Sequence, residues 1–136
     1  MLKFNLATTL GLSALLFLSS CQSARQAGPG PLMLNSSKPA LPTMEMMSQS
    51  ATACWFKSKD KDFRAYKMAA ELNSFSGRPR FLLVPVKNPT ARPLLVVQAE
   101  GNPAKIEVFG PMMGQPVGSK IAHDVKLWAE GQKQCS

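Results

Sequence analysis

Residues 80–99 read RFLLVPVKNPTARPLLVVQA, and this stretch decides the fold. Two apolar runs, 81–84 and 94–97, have the length of β-strands, and the polar segment between them has the composition of a turn. The pattern predicts an antiparallel pair of strands at 80–86 and 93–99. Because neighbouring residues in both runs are apolar, both faces of these strands are expected to be covered, by helices or by a partner.

Further strands and helices are predicted on either side of this pair. Two more strands are predicted at 63–69 and 105–109, separated from the pair by turns rich in Gly, Asn and Pro. Helices are predicted over 43–57 and over about 116–130 from their apolar periodicity. The expected fold is a small α+β domain, a four-stranded antiparallel meander flanked by an N-terminal and a C-terminal helix.

The polar side of the second predicted helix carries His123 and two pairs of opposite charges. Lys120 precedes Asp124 by four residues, and Lys126 precedes Glu130 by four. Pairs at this spacing stabilise exposed helices by roughly 0.3 kcal/mol each. We therefore expect all five side chains at the surface.

The N-terminal residues have the composition of an export signal. Lys3 precedes an apolar stretch at 6–18, which is short for a helix that must span ~30 Å of hydrocarbon. The segment then ends in LSSC at 18–21, which resembles the lipobox of bacterial lipoproteins. The resemblance implies cleavage before Cys21, a thioether-linked diacylglycerol on its sulfur and an acyl chain such as palmitate on its amine. The alternative is an ordinary secretory signal that is cut elsewhere.

The lipobox resemblance also implies a location. Gln22 follows Cys21 where an Asp would indicate retention in the inner membrane, so we expect an outer-membrane, lipid-anchored protein that faces the periplasm. The Pro and Gly residues of 21–42 predict a disordered linker, and the lipobox implies that it carries the lipid at Cys21. About twenty such residues reach at most ~65 Å. The sequence thus predicts a signal peptide at 1–20, this linker, and a folded domain at 43–136.

Two cysteines remain once Cys21 carries lipid. Cys54 and Cys135 are expected to form a disulfide in an oxidising compartment. Closing a loop of about 80 residues would stabilise the domain by ~4 kcal/mol. Redox catalysis is the alternative, but neither cysteine belongs to a C-x-x-C motif and no histidine lies close in sequence.

The chain is basic, with 16 Lys and Arg against 8 Asp and Glu and a net charge of +8. This charge suits acidic lipids or lipopolysaccharide as neighbours, or simply keeps the domain soluble. Arg78, Arg80 and Lys105 are predicted to lie near one end of the sheet. They are either a possible anion-binding site or solvated strand ends that discourage edge-to-edge pairing. Nucleic acid is not an expected partner, because export removes the usual targets.

The only catalytic motif that the sequence matches is a short S-x-x-K at 58–61, which arises easily by chance in a lysine-rich turn. P-loop, G-x-S-x-G and H-E-x-x-H motifs are missing, His123 stands alone, and the acidic residues are scattered singly. The methionines are candidates for Cu(I) ligands or for core filling. These are Met44, Met46, Met47, Met112 and Met113. We predict that the protein is not an enzyme and holds no metal or other cofactor.

The domain also carries a set of short motifs. They are CWF at 54–56, Phe63, Tyr66, ELNS at 71–74 and GRPR at 77–80. In these motifs the domain is similar to small uncharacterised lipoproteins of alphaproteobacteria. The resemblance covers 54–135 and implies no activity.

Three functions are compatible with these features. The leading hypothesis is a non-enzymatic envelope lipoprotein that binds a protein partner or supports an envelope assembly. A second is a binder of anionic envelope ligands, lipid A phosphates or acidic lipids, through Arg78, Arg80 and Lys105. A third is an inhibitor of an envelope-attacking enzyme, although basic lysozymes fit poorly because like charges repel.

Overall fold

The strands predicted from 80–99 lie in the interior of a five-stranded antiparallel sheet. The computed structural model describes residues 27–136. In chain order the elements are β1 (Leu32–Asn35), α1 (Ala40–Ala51), β2 (Tyr66–Glu71), β3 (Arg80–Pro85), β4 (Leu95–Glu100), β5 (Lys105–Phe109) and α2 (Val117–Ala129). The sheet order is β1-β5-β4-β3-β2, so β2 to β5 form the predicted meander. The predicted number of four strands is wrong, because β1 adds a fifth beside β5.

β1 lies in the segment for which the sequence predicted a disordered linker. Leu32 pairs with Val108 and Leu34 pairs with Ile106, and both leucines pack against the core. The prediction of disorder is therefore wrong for residues 32–42. Four residues gain ladder hydrogen bonds and apolar burial from β5, and this long-range contact outweighs the Pro and Gly content around them.

Both helices pack on one face of the sheet, which we call the core face. It carries alternate residues of the strands, such as Phe81, Leu83 and Val97, and none of these three is exposed. The helix residues buried against it are Met44, Met47, Ile121, Val125 and Trp128. The opposite face, which we call the outer face, has no described helix over it, since the buried residues of both helices belong to the same cluster as the core-face side chains.

The end of the first helix carries the disulfide. α1 begins at Ala40, three residues before the predicted start, and continues as a π-helical segment, Thr52–Lys57. Within this segment Cys54 is bonded to Cys135, with a Cα–Cα distance of 5.5 Å. The predicted disulfide is confirmed, and it joins the first helix to the tail that follows α2.

Neither charge pair predicted on α2 forms, since Lys126 is not within ion-pair distance of Glu130. Lys120 does not bond Asp124 but reaches Asp60 in the segment before β2. Asp124 is 1% exposed and faces Trp55, whose indole donates a hydrogen bond to it. His123 is exposed, as predicted. The buried side of α2 is thus wider than its apolar residues alone indicate.

The predicted signal peptide and lipobox at 1–21 lie outside the described residues. Among the helices of residues 27–136, none is long and apolar enough to cross a bilayer.

Candidate interaction surface

The outer face carries one row of apolar side chains across four strands. Directly paired residues of neighbouring strands share a face of the sheet. The register therefore aligns Ala69, Leu82, Val96 and Phe109, which we call the apolar row. Val96 is 9% exposed, Ala69 and Leu82 are half-buried, and Phe109 is 37% exposed, so Phe109 is the most accessible member of the row.

A row of charged and polar side chains lies beside the apolar row. The register aligns Glu71, Arg80, Gln98 and Glu107, which we call the charged row. Arg80 Nε donates to Glu71 Oε2 at 2.5 Å, and Gln98 Nε2 donates to Glu107 Oε2 at 2.6 Å. Met33 of β1 pairs with Glu107 and is 68% exposed, so the row ends in an apolar side chain.

The structure brings Arg78, Arg80 and Lys105 to one end of the outer face, but it places carboxylates among them. Arg78 Nε lies 2.9 Å from Glu100 Oε2, and Arg80 bonds Glu71. Lys105 is paired with Glu100 in the β4–β5 register. Exposed ion pairs contribute ~0–1 kcal/mol, so they can open, but an anion must displace them.

We call Arg78, Arg80 and Lys105 the basic cluster. Its positive charge is neutralised by neighbouring carboxylates. Its three cations lie beside Glu71 and Glu100, with Glu107 on the same face. The cluster has no excess of positive charge with which to attract an anion.

Residues 27–30 lie at the opposite end of the sheet, next to the loop that follows β5. The amides of Ala27 and Gly28 donate to the Gly114 carbonyl at 3.1 Å, and the Gly30 amide donates to the Met113 carbonyl at 2.9 Å. We call this end, where β1, β2 and β4 begin and β3 and β5 end, the tether end, and we call the opposite end the far end. The basic cluster lies at the far end.

The fit of Gly28 at the tether end is close. A Cβ atom on Gly28 would overlap the backbone carbonyl oxygens of Met113 and Gln115. Because these are backbone atoms, they cannot move aside as a flexible side chain can. The first described residues are thus held against the loop between β5 and α2 by backbone contacts that only glycine permits.

The tether end also carries cations, and these form no ion pair with an acid of residues 27–136. Arg64 precedes β2, Lys87 follows β3 and Arg92 precedes β4, and all three are exposed. No described Asp or Glu forms an ion pair with them. The two acids nearest Arg64 along the chain, Asp60 and Asp62, are both engaged with α2. The tether end therefore presents three exposed cations that no ion pair with a described acid neutralises.

Lys120 connects α2 to the segment before β2. The hydrogen bond from its Nζ holds the pKa of the Asp60 carboxyl below its ordinary value, and the same bond raises the pKa of the Lys120 amine. Asp62 Oδ2 lies 3.6 Å from Nζ. This contact positions the short turn Lys61–Phe63, whose Phe63 ring stacks on Trp55 at 4.6 Å.

Two buried tryptophans hold the C-terminal tail. Trp55 Nε1 donates to Asp124 Oδ2 at 2.7 Å, and the other oxygen of Asp124 accepts from the Ser136 amide at 2.8 Å. Trp128 Nε1 donates to the Gln134 carbonyl at 2.9 Å. With the disulfide, these bonds make the tail part of the folded domain. Asp124 and both indoles thus have structural partners.

Sequence reasoning missed Asp124, although a signal was present. Asp124 lies at i+3 from Ile121 and i−4 from Trp128, which is the periodicity of the buried side of α2. A carboxylate at such a position must find donors in the core. The sequence provides few buried donors, and the nearest candidates are indole nitrogens.

The methionines considered as Cu(I) ligands fill the core. Met44, Met47, Met112 and Met113 are each 0% exposed and belong to the core cluster. Met46 is partly buried and accepts a hydrogen bond from Ser50 Oγ at 3.7 Å. Among residues 27–136 there is also no group of three His, Cys, Asp or Glu side chains that could hold a metal ion.

Comparison of the chain with protein-family models, curated proteins and solved structures found no match.

Proposed function

We propose that this protein is a non-enzymatic lipoprotein of the bacterial outer membrane, anchored through Cys21, and that its outer face binds a partner protein in the envelope. The observation that supports partner binding is the outer face itself, where an apolar row lies beside a row of charged and polar side chains. An apolar strip with a polar rim is the usual composition of a protein interface.

The centre of the proposed interface lies where β5 meets β1. Val84 and Val96 also point to the outer face, but they are only 5% and 9% exposed and offer little further area. Phe109 and Met33 are 37% and 68% exposed and flank Glu107. Aromatic residues and methionine are enriched in interfaces. The expected partner is a folded protein with an apolar strip bordered by charges of both signs.

The anchor is supported by the lipobox at 18–21 and by the disulfide, which suits an oxidising compartment such as the periplasm. Stable anchoring needs at least two acyl chains, which lipidation of the sulfur alone would supply. Absence of enzymatic activity is supported by the single histidine and the scattered acids of the sequence.

Mass spectrometry of the protein purified from native membranes tests the anchor. We expect a chain that begins at Cys21 and carries a diacylglycerol on sulfur and an acyl group on the amine. An unmodified Cys21, or cleavage at another residue, would contradict the proposed anchor. This result does not depend on the partner.

Site-specific photo-crosslinking in intact cells tests the partner. A photoreactive residue at position 109 is compared with one at Leu41, which is exposed to a similar degree (40%) but lies on α1. We expect a discrete adduct with a second protein from position 109 and none from position 41. Met33→Asp should reduce that adduct, while Leu41→Asp should not.

Two outcomes would contradict partner binding at the outer face. One is the same adduct pattern from both positions, and the other is an adduct whose mass is that of two copies of this chain. The second outcome would indicate that the outer face binds another copy of this chain instead of a different protein.

The two alternatives predicted from the sequence have less support. Anion binding through Arg78, Arg80 and Lys105 must displace the carboxylates that bond both arginines. Inhibition of an envelope-attacking enzyme is favoured by no specific contact or surface of residues 27–136. Both stay predictions.

A further inference from the structure

We propose that the tether end of the sheet is a membrane-contact surface. Its exposed cations Arg64, Lys87 and Arg92 bind the headgroups of anionic lipids, and Val86 between them enters the interfacial layer of the bilayer. The orientation rests on the lipid anchor of the proposed function. The site shares no residue with the basic cluster at the far end or with the partner surface, because Phe109 and Met33 lie on β5 and β1 at the other side of the sheet from β2 and β3.

The first support is the length of chain between the anchor and the folded part. Ala27, the first described residue, follows Cys21 by six residues. Six extended residues span at most ~20 Å, whereas the predicted disordered linker would have reached ~65 Å. Because residues 27–30 are bonded to the loop after β5, the tether end is the part of the domain next to the bilayer.

The second support is the distribution of charge along the sheet. At the far end both arginines are bonded to carboxylates. At the tether end Arg64, Lys87 and Arg92 are exposed and, among the described residues, no Asp or Glu pairs with them. Each Lys or Arg beside an anionic membrane strengthens partitioning about fivefold. Charges are screened beyond ~10 Å in ~0.1 M salt, so only cations at the membrane-facing end contribute fully.

The third support is an apolar groove among these cations. The groove has a volume of about 390 Å³ and is lined by Ala65, Tyr66, Pro85 and Val86 together with the cations Arg64 and Lys87. Val86 is 50% exposed, and its amide donates to the Ala65 carbonyl at 2.9 Å, which fixes the two strand ends. Apolar surface bordered by basic side chains is the composition of proteins that lie in a membrane interface.

Vesicle binding by a chain that cannot be lipidated tests this surface. The chain starts at residue 21 and carries Cys21→Ser. It keeps every contact described here, because all of them lie within 27–136. In a flotation assay we expect it to bind vesicles rich in phosphatidylglycerol and to bind pure phosphatidylcholine vesicles far more weakly. Raising the salt concentration should release it from the anionic vesicles.

Two charge-matched variants locate the binding surface. The triple variant Arg64→Gln, Lys87→Gln and Arg92→Gln should bind anionic vesicles about a hundredfold more weakly, from about fivefold per cation. The control removes the same number of exposed charges elsewhere. It combines Lys38→Gln, Lys105→Gln and Lys126→Gln. Its binding should change by less than about threefold, because those cations are screened from the bilayer.

Three results would overturn the membrane-contact surface. They are equal binding to anionic and neutral vesicles, binding insensitive to salt, and equal loss in the two triple variants. Circular dichroism confirms that each variant is folded. Since this chain carries no lipid, such a result overturns the contact surface alone, whereas an unmodified Cys21 in the native protein overturns the anchor alone.

Discussion

The indole nitrogen of Trp55 donates a hydrogen bond of 2.7 Å to Oδ2 of Asp124, a carboxylate that is 1% exposed. The other oxygen of Asp124 accepts from the backbone amide of Ser136. A single side chain of α2 thus satisfies a donor from the first helical region and a donor from the tail. Both donors are uncharged, so the buried carboxylate is stabilised by hydrogen bonds and not by a counter-ion.

Asp124→Asn should destabilise the domain. The amide keeps one acceptor oxygen but turns an NH₂ group toward the other donor, so either Trp55 or Ser136 loses its partner. An unsatisfied buried donor costs ~1–3 kcal/mol in the free energy of unfolding, measured by urea denaturation. The control Glu130→Gln, an exposed acid near the end of the same helix, should stay within ~0.5 kcal/mol. Equal effects would contradict the structural role of Asp124.

The disulfide should provide a large share of the stability. It joins Cys54 and Cys135 across a sequence separation of 81 residues. In the chain-entropy account, a loop of this length stabilises by ~4 kcal/mol. The double variant Cys54→Ser and Cys135→Ser should lower the free energy of unfolding by about that amount. Reductant should shift the urea midpoint of the wild type to that of the variant and leave the variant unchanged; a wild type insensitive to reductant would contradict this.

The Asp60–Lys120 ion pair should make stability depend on pH at both extremes. The pKa of Asp60 is lowered in the folded state, so its contribution is present above ~3.9 and is lost as pH falls through the folded pKa. The pKa of Lys120 is raised, so its contribution is present below ~10.4 and is lost as pH rises through the folded pKa.

Lys120→Met should therefore lower the free energy of unfolding by ~1 kcal/mol near neutral pH. Thermal unfolding across the pH range should show that this difference disappears in strong acid and in strong base. Lys126→Met is the control, because Lys126 is exposed and forms no ion pair with the described acids. A difference between Lys120→Met and wild type that is independent of pH would contradict the pairing.

Gly28→Ala should detach residues 27–30 from the loop between β5 and α2. The added Cβ would overlap the carbonyl oxygens of Met113 and Gln115, which are backbone atoms. Hydrogen exchange at the Gly30 amide, which donates to Met113, should become faster by an order of magnitude or more when the segment undocks. Ala27→Ser, an exposed neighbouring position, should leave the exchange rate unchanged. Protection of Gly30 in both variants would show that the fit at Gly28 is not required.

Most of the meander could be predicted because its signals are local. β5 was predicted at 105–109 and is found there, and β3 and β4 begin within two residues of the predicted positions. Short aliphatic runs between Pro, Gly and Asn turns define such strands. β2 was predicted at 63–69 and is displaced to Tyr66–Glu71, because Phe63 stacks on Trp55 in a turn instead of continuing the strand.

The candidate surfaces could be predicted only in part. An antiparallel meander brings Arg78, Arg80 and Lys105 to one end, as the sequence indicated. The carboxylates beside them could not be predicted, because a shift of one residue in register would place Glu71 and Glu100 on the other face. The same register aligns the apolar row, so the composition of the outer face is determined by how the strands pair.

The sequence by itself determined the central strands, the last helix and the pairing of its two domain cysteines, since these depend on short apolar runs and on a count of thiols. Tertiary structure decided that Leu32–Asn35 forms a strand, that both helices cover one face, and that Asp124 is buried beside Trp55. The physical reason is the range of the interactions. The preference of a segment for helix or strand depends on residues close together in sequence and can be read from them. β1 and Asp124 are instead stabilised by partners about 70 residues away, at Val108 and at Trp55.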